Sequence, residues 1–466
     1  MRTRRLRALL FTTAIAAATN GIALSAASAE TLTDALIQAY QTSPLLASSR
    51  AALRSLDESV PQARANRRPQ VDANVAGSTG ADYGDFESHA DALQATLVAT
   101  LLIYDSGQTK AAIESARNNI AAGRADLKTV EQNVLFSAVQ AYANVRRDEE
   151  FVRIARADVQ RLDETLRATQ NRFDVGEVTR TDVSQSEARL AESRANLADA
   201  LGALEVSREA YRAAVGHPPQ NLDPLPPLPA VPASLEESTS IAMQRNPQIV
   251  SAQFAERSAV YDFDRARAAT GPSVGVNLTT GIERATNQFG DFTGDPFAEV
   301  SINGSMPLYS GGSNSSLIRQ AQAVVDQRQF EVQDAGRSVT QSVAAAWTQL
   351  EVAKVAITAR REQADASRIA AEGVTEEARL GARSTLDVLD ADQDRLQAEA
   401  EVVSAVRDEY VAAYALLQAM GLMTVEHLNL GIETYNPDVY FAKVQNAPVG
   451  GYDTSAVDRI RARWER

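Results

Sequence analysis

Cysteine is absent from the 466 residues. The chain therefore has neither a disulfide nor a thiolate metal site, and its stability has to come from packing or assembly. Histidine is nearly as scarce. His89, His217 and His427 stand in three different settings, none with a second histidine or an acid at ligand spacing, so no metal and no cofactor is expected. Beyond Glu30 there is no apolar run of the roughly 18 residues that a membrane-crossing helix requires. A periplasmic protein, a secreted one and a β-barrel all remain open, because a barrel strand leaves a much weaker signal. Positive charge is also in deficit: 46 Lys and Arg stand against 60 Asp and Glu, a net charge of -14. Such a chain is poorly suited to track nucleic-acid phosphates. No G-x-S-x-G, phosphate-loop or dinucleotide pattern occurs; Gly311-Gly312 follows a strand pattern, but no lysine follows it. No enzyme is expected.

What is present begins with a secretion signal. Arg2, Arg4, Arg5 and Arg7 precede an apolar stretch from Ala8 to Leu24, and Ala27-Ser28-Ala29 gives a small-x-small cleavage pattern before Glu30. Residues 1–29 read as a signal peptide.

The remainder repeats itself. Leu32, Ala39 and Pro44 recur as Leu235, Ala242 and Pro247, each shifted by 203. Tyr104, Gly107 and Ile113 recur as Tyr309, Gly312 and Ile318, shifted by 205, and Gly176, Asp182 and Gly216 keep that shift to Gly381, Asp387 and Gly421. A register held this long means duplication. The halves are 30–216 and 234–425, joined by a proline-rich connector at 217–233 and followed by a tail at 426–466. In the tail, Asn436-Pro437, Pro448 and Gly450-Gly451 suggest irregular chain and Val457 to Arg466 a short basic helix; it is read as a belt or as mobile periplasmic chain.

Each half has one grammar: helix, β-hairpin, very long helix, tight turn, long helix. Leu127, Val130, Val134, Ala138, Ala141 and Val145 are spaced alternately three and four apart, as are Val332, Ala335, Val339, Val343, Ala346, Leu350, Ala353 and Ile357. That is a coiled-coil seam. From Ser106 to Phe173 no proline occurs, so the predicted helix is roughly 100 Å long. The hairpins fall at 70–104 and 272–309. Leu93, Leu97, Leu101 and Ile103 share a face against Gln94, Thr96 and Thr100; Val274, Val276, Leu278 and Ile282 oppose Ser273, Asn277 and Thr279. Ala298, Val300, Ile302, Met306 and Leu308 likewise oppose Glu299, Ser301, Asn303 and Ser305. Half-apolar strands suit a barrel wall or a two-layer sheet. Stoichiometry favours the barrel: four strands cannot close one, for which about eight is the small end, and an open sheet exposes its edges. Several copies sharing one wall remove both difficulties. Tyr83, Phe86, Tyr104, Phe289, Phe292, Phe297 and Tyr309 cluster at strand ends, as an interfacial girdle does.

The turns complete the pattern. Gly176 and Gly381 close long helices, and Thr179-x-x-Asp182 and Ser384-x-x-Asp387 are capping boxes that start the next. Together with the signal peptide, the duplication and Leu308-Tyr309-Ser310-Gly311-Gly312, these turns resemble TolC-type outer-membrane efflux proteins over residues 31–425. The resemblance implies an α+β membrane protein: a homotrimeric twelve-stranded β-barrel in outer-membrane lipid, continued by a long α-helical barrel of coiled-coil hairpins through the periplasm. It implies a periplasmic adaptor protein and an inner-membrane ABC or RND transporter as partners, with protein secretion or multidrug efflux as the activity. It places Asp387 and Asp390 at the periplasmic constriction, where three copies bring six carboxylates round one axis. It makes Arg383, bonded to Thr181 and Asp182 of a neighbouring hairpin, a link that holds the tip closed. The tips, Val175, Gly176 and Glu177 with Leu380, Gly381, Ala382 and Ser384, become the adaptor contact. Ala378 stands where the family usually has an aromatic residue, which removes one gating contact. The alternative from another class is a non-conducting periplasmic or secreted coiled-coil scaffold or adhesin.

Overall fold

The computed structural model describes residues 29–82, 88–286, 291–445 and 454–464. The signal-peptide expectation, the aromatics Tyr83, Phe86 and Phe289, and Pro448 with Gly450-Gly451 lie outside these residues, except for Ala29.

The first half opens with three helices, α1 (Leu32–Thr42), α2 (Pro44–Asp57) and α3 (Ser59–Ala65), where the sequence suggested one. The second opens with two, α6 (Leu235–Arg245) and α7 (Pro247–Ala268). Pro44 and Pro247 cause the breaks. Proline keeps its predecessor out of helical geometry, and Ser43 (ψ 117) and Asn246 (ψ 123) then serve as side-chain caps.

Strands follow: β1 (Gln70–Asp82) and β2 (Ser88–Tyr104) in the first half, then β3 (Ser273–Thr286), β4 (Phe292–Thr293) and β5 (Pro296–Ser305) in the second. All pairs are antiparallel, in the order β1-β2-β3-β5, with β4 a short continuation beside the far end of β3. The last strand ends at Ser305, short of Met306 and Leu308, because Pro307 has no N–H to donate.

The long helices are α4 (Gln108–Asp174) and α8 (Ser313–Arg379), 67 residues each. Each turns back into a shorter helix, α5 (Arg180–Val215) or α9 (Thr385–Ala419). The coiled-coil seams are the buried faces: Val134, Ala138, Ala141 and Val145 on α4, and Val339, Val343, Leu350 and Ile357 on α8, are all under one-tenth exposed. Small seam residues let the backbones approach. α10 (Pro437–Val444) and α11 (Ser455–Trp464) are the last described elements. Asn436-Pro437, expected as irregular chain, instead starts α10, because the Asn436 side chain accepts from the Asp438 amide (2.9 Å) and proline suits the first helical position.

The core sits at mid-height, where α1 meets the connector. Glu30 forms a parallel bridge with Leu222, and the hydroxyl of buried Tyr142 donates to the carbonyls of Glu30 (3.0 Å) and Asp223 (2.7 Å). Buried Tyr211 donates to the Glu30 carboxylate at 2.5 Å. Burial, and the carboxylate it serves, push the Tyr211 phenol far above its ordinary range.

Candidate functional site

Two regions of this rod bear on function: the strand wall at one end and the helical tips at the other.

In the wall, register decides which side chains share a face. Val71, Ala99, Leu278 and Val300 lie directly opposite one another across four strands. So do Leu101, Val276 and Ile302, and the row of Val75, Ala95 and Ile282. One face is therefore a continuous apolar band, and its members remain open: Val75 is 77% exposed and Ile302 73%. The opposite face carries Gln70, Thr100, Asn277 and Ser301 in one row. A bulge between Leu102 and Tyr104 turns Tyr104 onto the apolar face opposite Val274. Phe292, paired with Thr286, falls on the same face at the far end, whereas Phe297 lies on the polar face in line with Gly281. Of the expected girdle, Tyr104 and Phe292 thus mark the two ends of the band. The outer edges of β1 and β5 have no partner strand among the described residues.

At the tips, the two halves use the same geometry. Gly176 (φ 81) and Gly381 (φ 80) occupy the left-handed region. The next amide returns five residues, Glu177 N to the Arg172 carbonyl at 2.8 Å and Ala382 N to that of Glu377 at 2.9 Å, which is a Schellman closure. Thr179 and Ser384 then open α5 and α9. The Asp182 carboxylate accepts from the Thr179 amide (2.8 Å) and hydroxyl (2.7 Å); the Asp387 carboxylate accepts from the same groups of Ser384, both at 2.9 Å. These hydrogen bonds hold both carboxylates below the ordinary aspartate value.

Charge is arranged differently in the two tips. Arg172 pairs with Glu177 at 3.3 Å. Arg383 donates to Glu377 of its own hairpin at 2.8 Å, and no hydrogen bond joins it to Thr181 or Asp182 within the described protomer. Asp390, placed at the constriction by the resemblance, has a cationic partner: Arg189 on α5 donates to it at 2.6 Å while also holding Glu192 at 3.1 Å. One turn higher, Arg161 on α4 bridges Asp158 (2.9 Å) and Asp392 of α9, and Arg395 holds Glu399 at 2.5 Å. Leu162, Leu190 and Leu389 form a small apolar cluster beside it. The sequence reading missed both cross-links. Their signal is two basic residues on the first hairpin at the height of acids on the second, and it shows only when the hairpins are laid side by side. Leu380 (86% exposed) and Val175 (71%) cap the tips.

Among the described residues no group of histidine, aspartate or glutamate is placed to hold a metal, and no helix is long and apolar enough to cross a membrane.

Comparison with known proteins agrees with this architecture. The family model described as "Outer membrane efflux protein" matches residues 35–217 and again 239–422. The outer membrane efflux protein BepC of Brucella suis is 33% identical over 424 residues, covering 90% of this chain and 92% of that protein. The alkaline protease secretion protein AprF of Pseudomonas aeruginosa is 26% identical over 298 residues, 62% of each chain. The crystal structure of the CmeC outer membrane channel of Campylobacter jejuni superposes with a TM-score of 0.74, at 16% identity and 89% coverage of both chains.

Proposed function

The chain belongs to the outer membrane efflux protein family, and from that premise we propose how its copies assemble and what they join. As a member it is a non-enzymatic outer-membrane channel with a periplasmic helical extension, which sets aside the scaffold and adhesin alternative. Three copies form one duct: twelve strands make the wall in the lipid and the helical hairpins carry the bore through the periplasm. The observation that carries this is the strand sheet. It has an exposed apolar face, a polar face and two open edges, and four strands are too few to close on themselves. Edge-to-edge pairing of β1 with the next copy's β5 satisfies the unpaired backbone groups that lipid does not tolerate.

The helices support the same assembly. α4 and α8 have equal length, yet α4 buries 21 residues within the chain and α8 only 7. Leu317, Val324 and Val352 recur at one heptad position on the flank of the internal seam of α8, Val355 lies farther round the helix, and all four are exposed, a surface for a neighbouring copy to cover.

The mature chain starts after the signal peptide of residues 1–29, with repeats at 30–216 and 234–425, connector at 217–233 and tail at 426–466. At the tips, Asp387 and Asp390 form the periplasmic constriction, and Arg383 of one copy exchanges Glu377 for Thr181 and Asp182 of a neighbour. Val175, Gly176, Glu177, Leu380, Gly381, Ala382 and Ser384 present the surface for a periplasmic adaptor. An inner-membrane ABC or RND transporter supplies the energy, the partner implied by membership of a non-enzymatic channel family. The cargo belongs to one of the family's two classes, efflux and protein secretion, which the names of BepC and AprF respectively carry.

Migration of the full chain extracted from outer membranes tests the assembly. Unheated protein should run as a detergent-stable trimer and collapse to the monomer on boiling. A stable monomer that needs no detergent would reject the shared barrel.

A further inference from the structure

We propose that α11, the C-terminal helix, lies on the periplasmic leaflet of the outer membrane and binds its anionic phospholipid headgroups. Val457, Ile460 and Trp464 fall at i, i+3 and i+7 and form one apolar stripe; they are 50%, 48% and 80% exposed. Arg461 flanks the stripe, and Arg459 and Arg463 share the opposite side, against the single acid Asp458. Three arginines against one aspartate is an inversion of charge in a chain whose net charge is -14. A short helix with a tryptophan-tipped apolar face and arginines around it has the composition of an interfacial helix.

Its position brings it to lipid. After α9 the chain runs as a strap along the first repeat toward the strands, and each fastening is higher than the last. The Val425 amide donates to Glu131 (3.0 Å) and the Tyr435 amide to the Tyr40 hydroxyl (3.0 Å). The Arg50 guanidinium lies between the rings of Tyr40 and Tyr435, 4.7 and 5.4 Å from their centres. Asp438 then pairs with Arg124 (2.8 Å), Tyr440 donates to Glu58 (2.9 Å), and Arg64 donates to the Gln445 carbonyl (2.5 Å). Arg64 is six residues before Gln70, where β1 enters the wall. From Gln445 to Thr454 the chain reaches at most roughly 30 Å, enough to set α11 beside the ring of Tyr104 at the lower edge of the apolar band. Phosphates there complement its arginines, and the acyl boundary covers its stripe. The helical part of this net-acidic chain is the competing surface. It matches the arginines in charge but leaves the apolar stripe of Val457, Ile460 and Trp464, which is open in the described structure, without an apolar cover.

The chain has two tryptophans, Trp347 and Trp464, so Trp347→Phe in the full-length protein leaves Trp464 as the reporter. Reconstituted into bilayers containing phosphatidylglycerol, Trp464 should emit at shorter wavelength and lose about half its intensity or more when the acyl chains are brominated. Val457→Ser with Ile460→Ser, outside the packed core, should abolish the quenching, and purely zwitterionic bilayers should weaken it. Water-like emission in anionic bilayers would overturn the proposal. So would shifted emission without bromine quenching, which would place the helix on protein instead.

Discussion

Asp105 shows how one side chain substitutes for a missing cap. The N-cap of α4 is Gly107, which has no side chain to offer. Asp105, 4% exposed, accepts from the Thr109 amide at 2.7 Å, the Gly107 amide at 3.2 Å and Arg67 at 3.4 Å. In the second repeat Ser310 does part of the same work, accepting from the Asn314 amide at 3.3 Å. Burial raises the Asp105 carboxyl, but the hydrogen bonds from Thr109, Gly107 and Arg67 outweigh it and leave the group below its ordinary value. A depressed carboxyl contributes stability above its unfolded-state pKa and loses it as pH falls through the folded value. Asp105→Ala should therefore cost about 1–2 kcal/mol at neutral pH, as helix-cap losses do. The difference from wild type should shrink under acid. Denaturant titration of the purified protein at both pH values measures it; a cost that does not diminish in acid would assign Asp105 a packing role only.

At the scale of elements, α8 carries the test of assembly. Its inner seam was legible as heptad spacing because Val339, Val343, Leu350 and Ile357 are uninterrupted. Its outer seam was not, because Glu331 and Ser338 stand between Val324 and Val352 at the same helical position. Val352→Glu with Val355→Glu should leave the protomer helical, since both side chains are more than half exposed in it. The same pair should abolish the heat-modifiable trimer, because like charges would be buried between copies. Circular dichroism with unheated electrophoresis separates the outcomes, and an intact trimer would remove this face from the interface. The same contrast explains the rest of the sequence reading. Duplication, strand faces, glycine turns and capping boxes depend on local spacing, and these were readable. The breaks at Pro44 and Pro247 were visible as repeated prolines but not as helix ends. The end of β5 at Ser305 was missed because alternation continues through Met306 and Leu308 although Pro307 stops the ladder. Contacts between hairpins, such as Arg189 with Asp390 and Arg161 with Asp392, depend on how far one hairpin slides along the other. No local pattern records that offset.

For the whole duct, the offset decides the charge at the proposed constriction. Six bare carboxylates would favour cations strongly, but each Asp390 has Arg189 beside it and both side chains are partly exposed, so pairing moderates the field without cancelling it. Asp387 keeps its charge while capping α9, and its depressed pKa means it stays ionised as pH falls into the ordinary carboxylate range. The proposed ring therefore predicts an order. Arg189→Gln removes the counter-charge and should raise cation preference in planar bilayers above wild type. Asp390→Asn leaves Arg189 unpaired and should lower it, and Asp387→Asn with Asp390→Asn should lower it further, with weaker block by multivalent cations. Asn at 387 retains an oxygen for the Ser384 amide, so the helix start survives and the change reads charge. Reversal potentials in a salt gradient give the ranking directly. If Arg189→Gln matched wild type while the aspartate pair still shifted selectivity, the ring would stand and the arginine would not face it. If neither moved the reversal potential, these carboxylates would lie away from the bore.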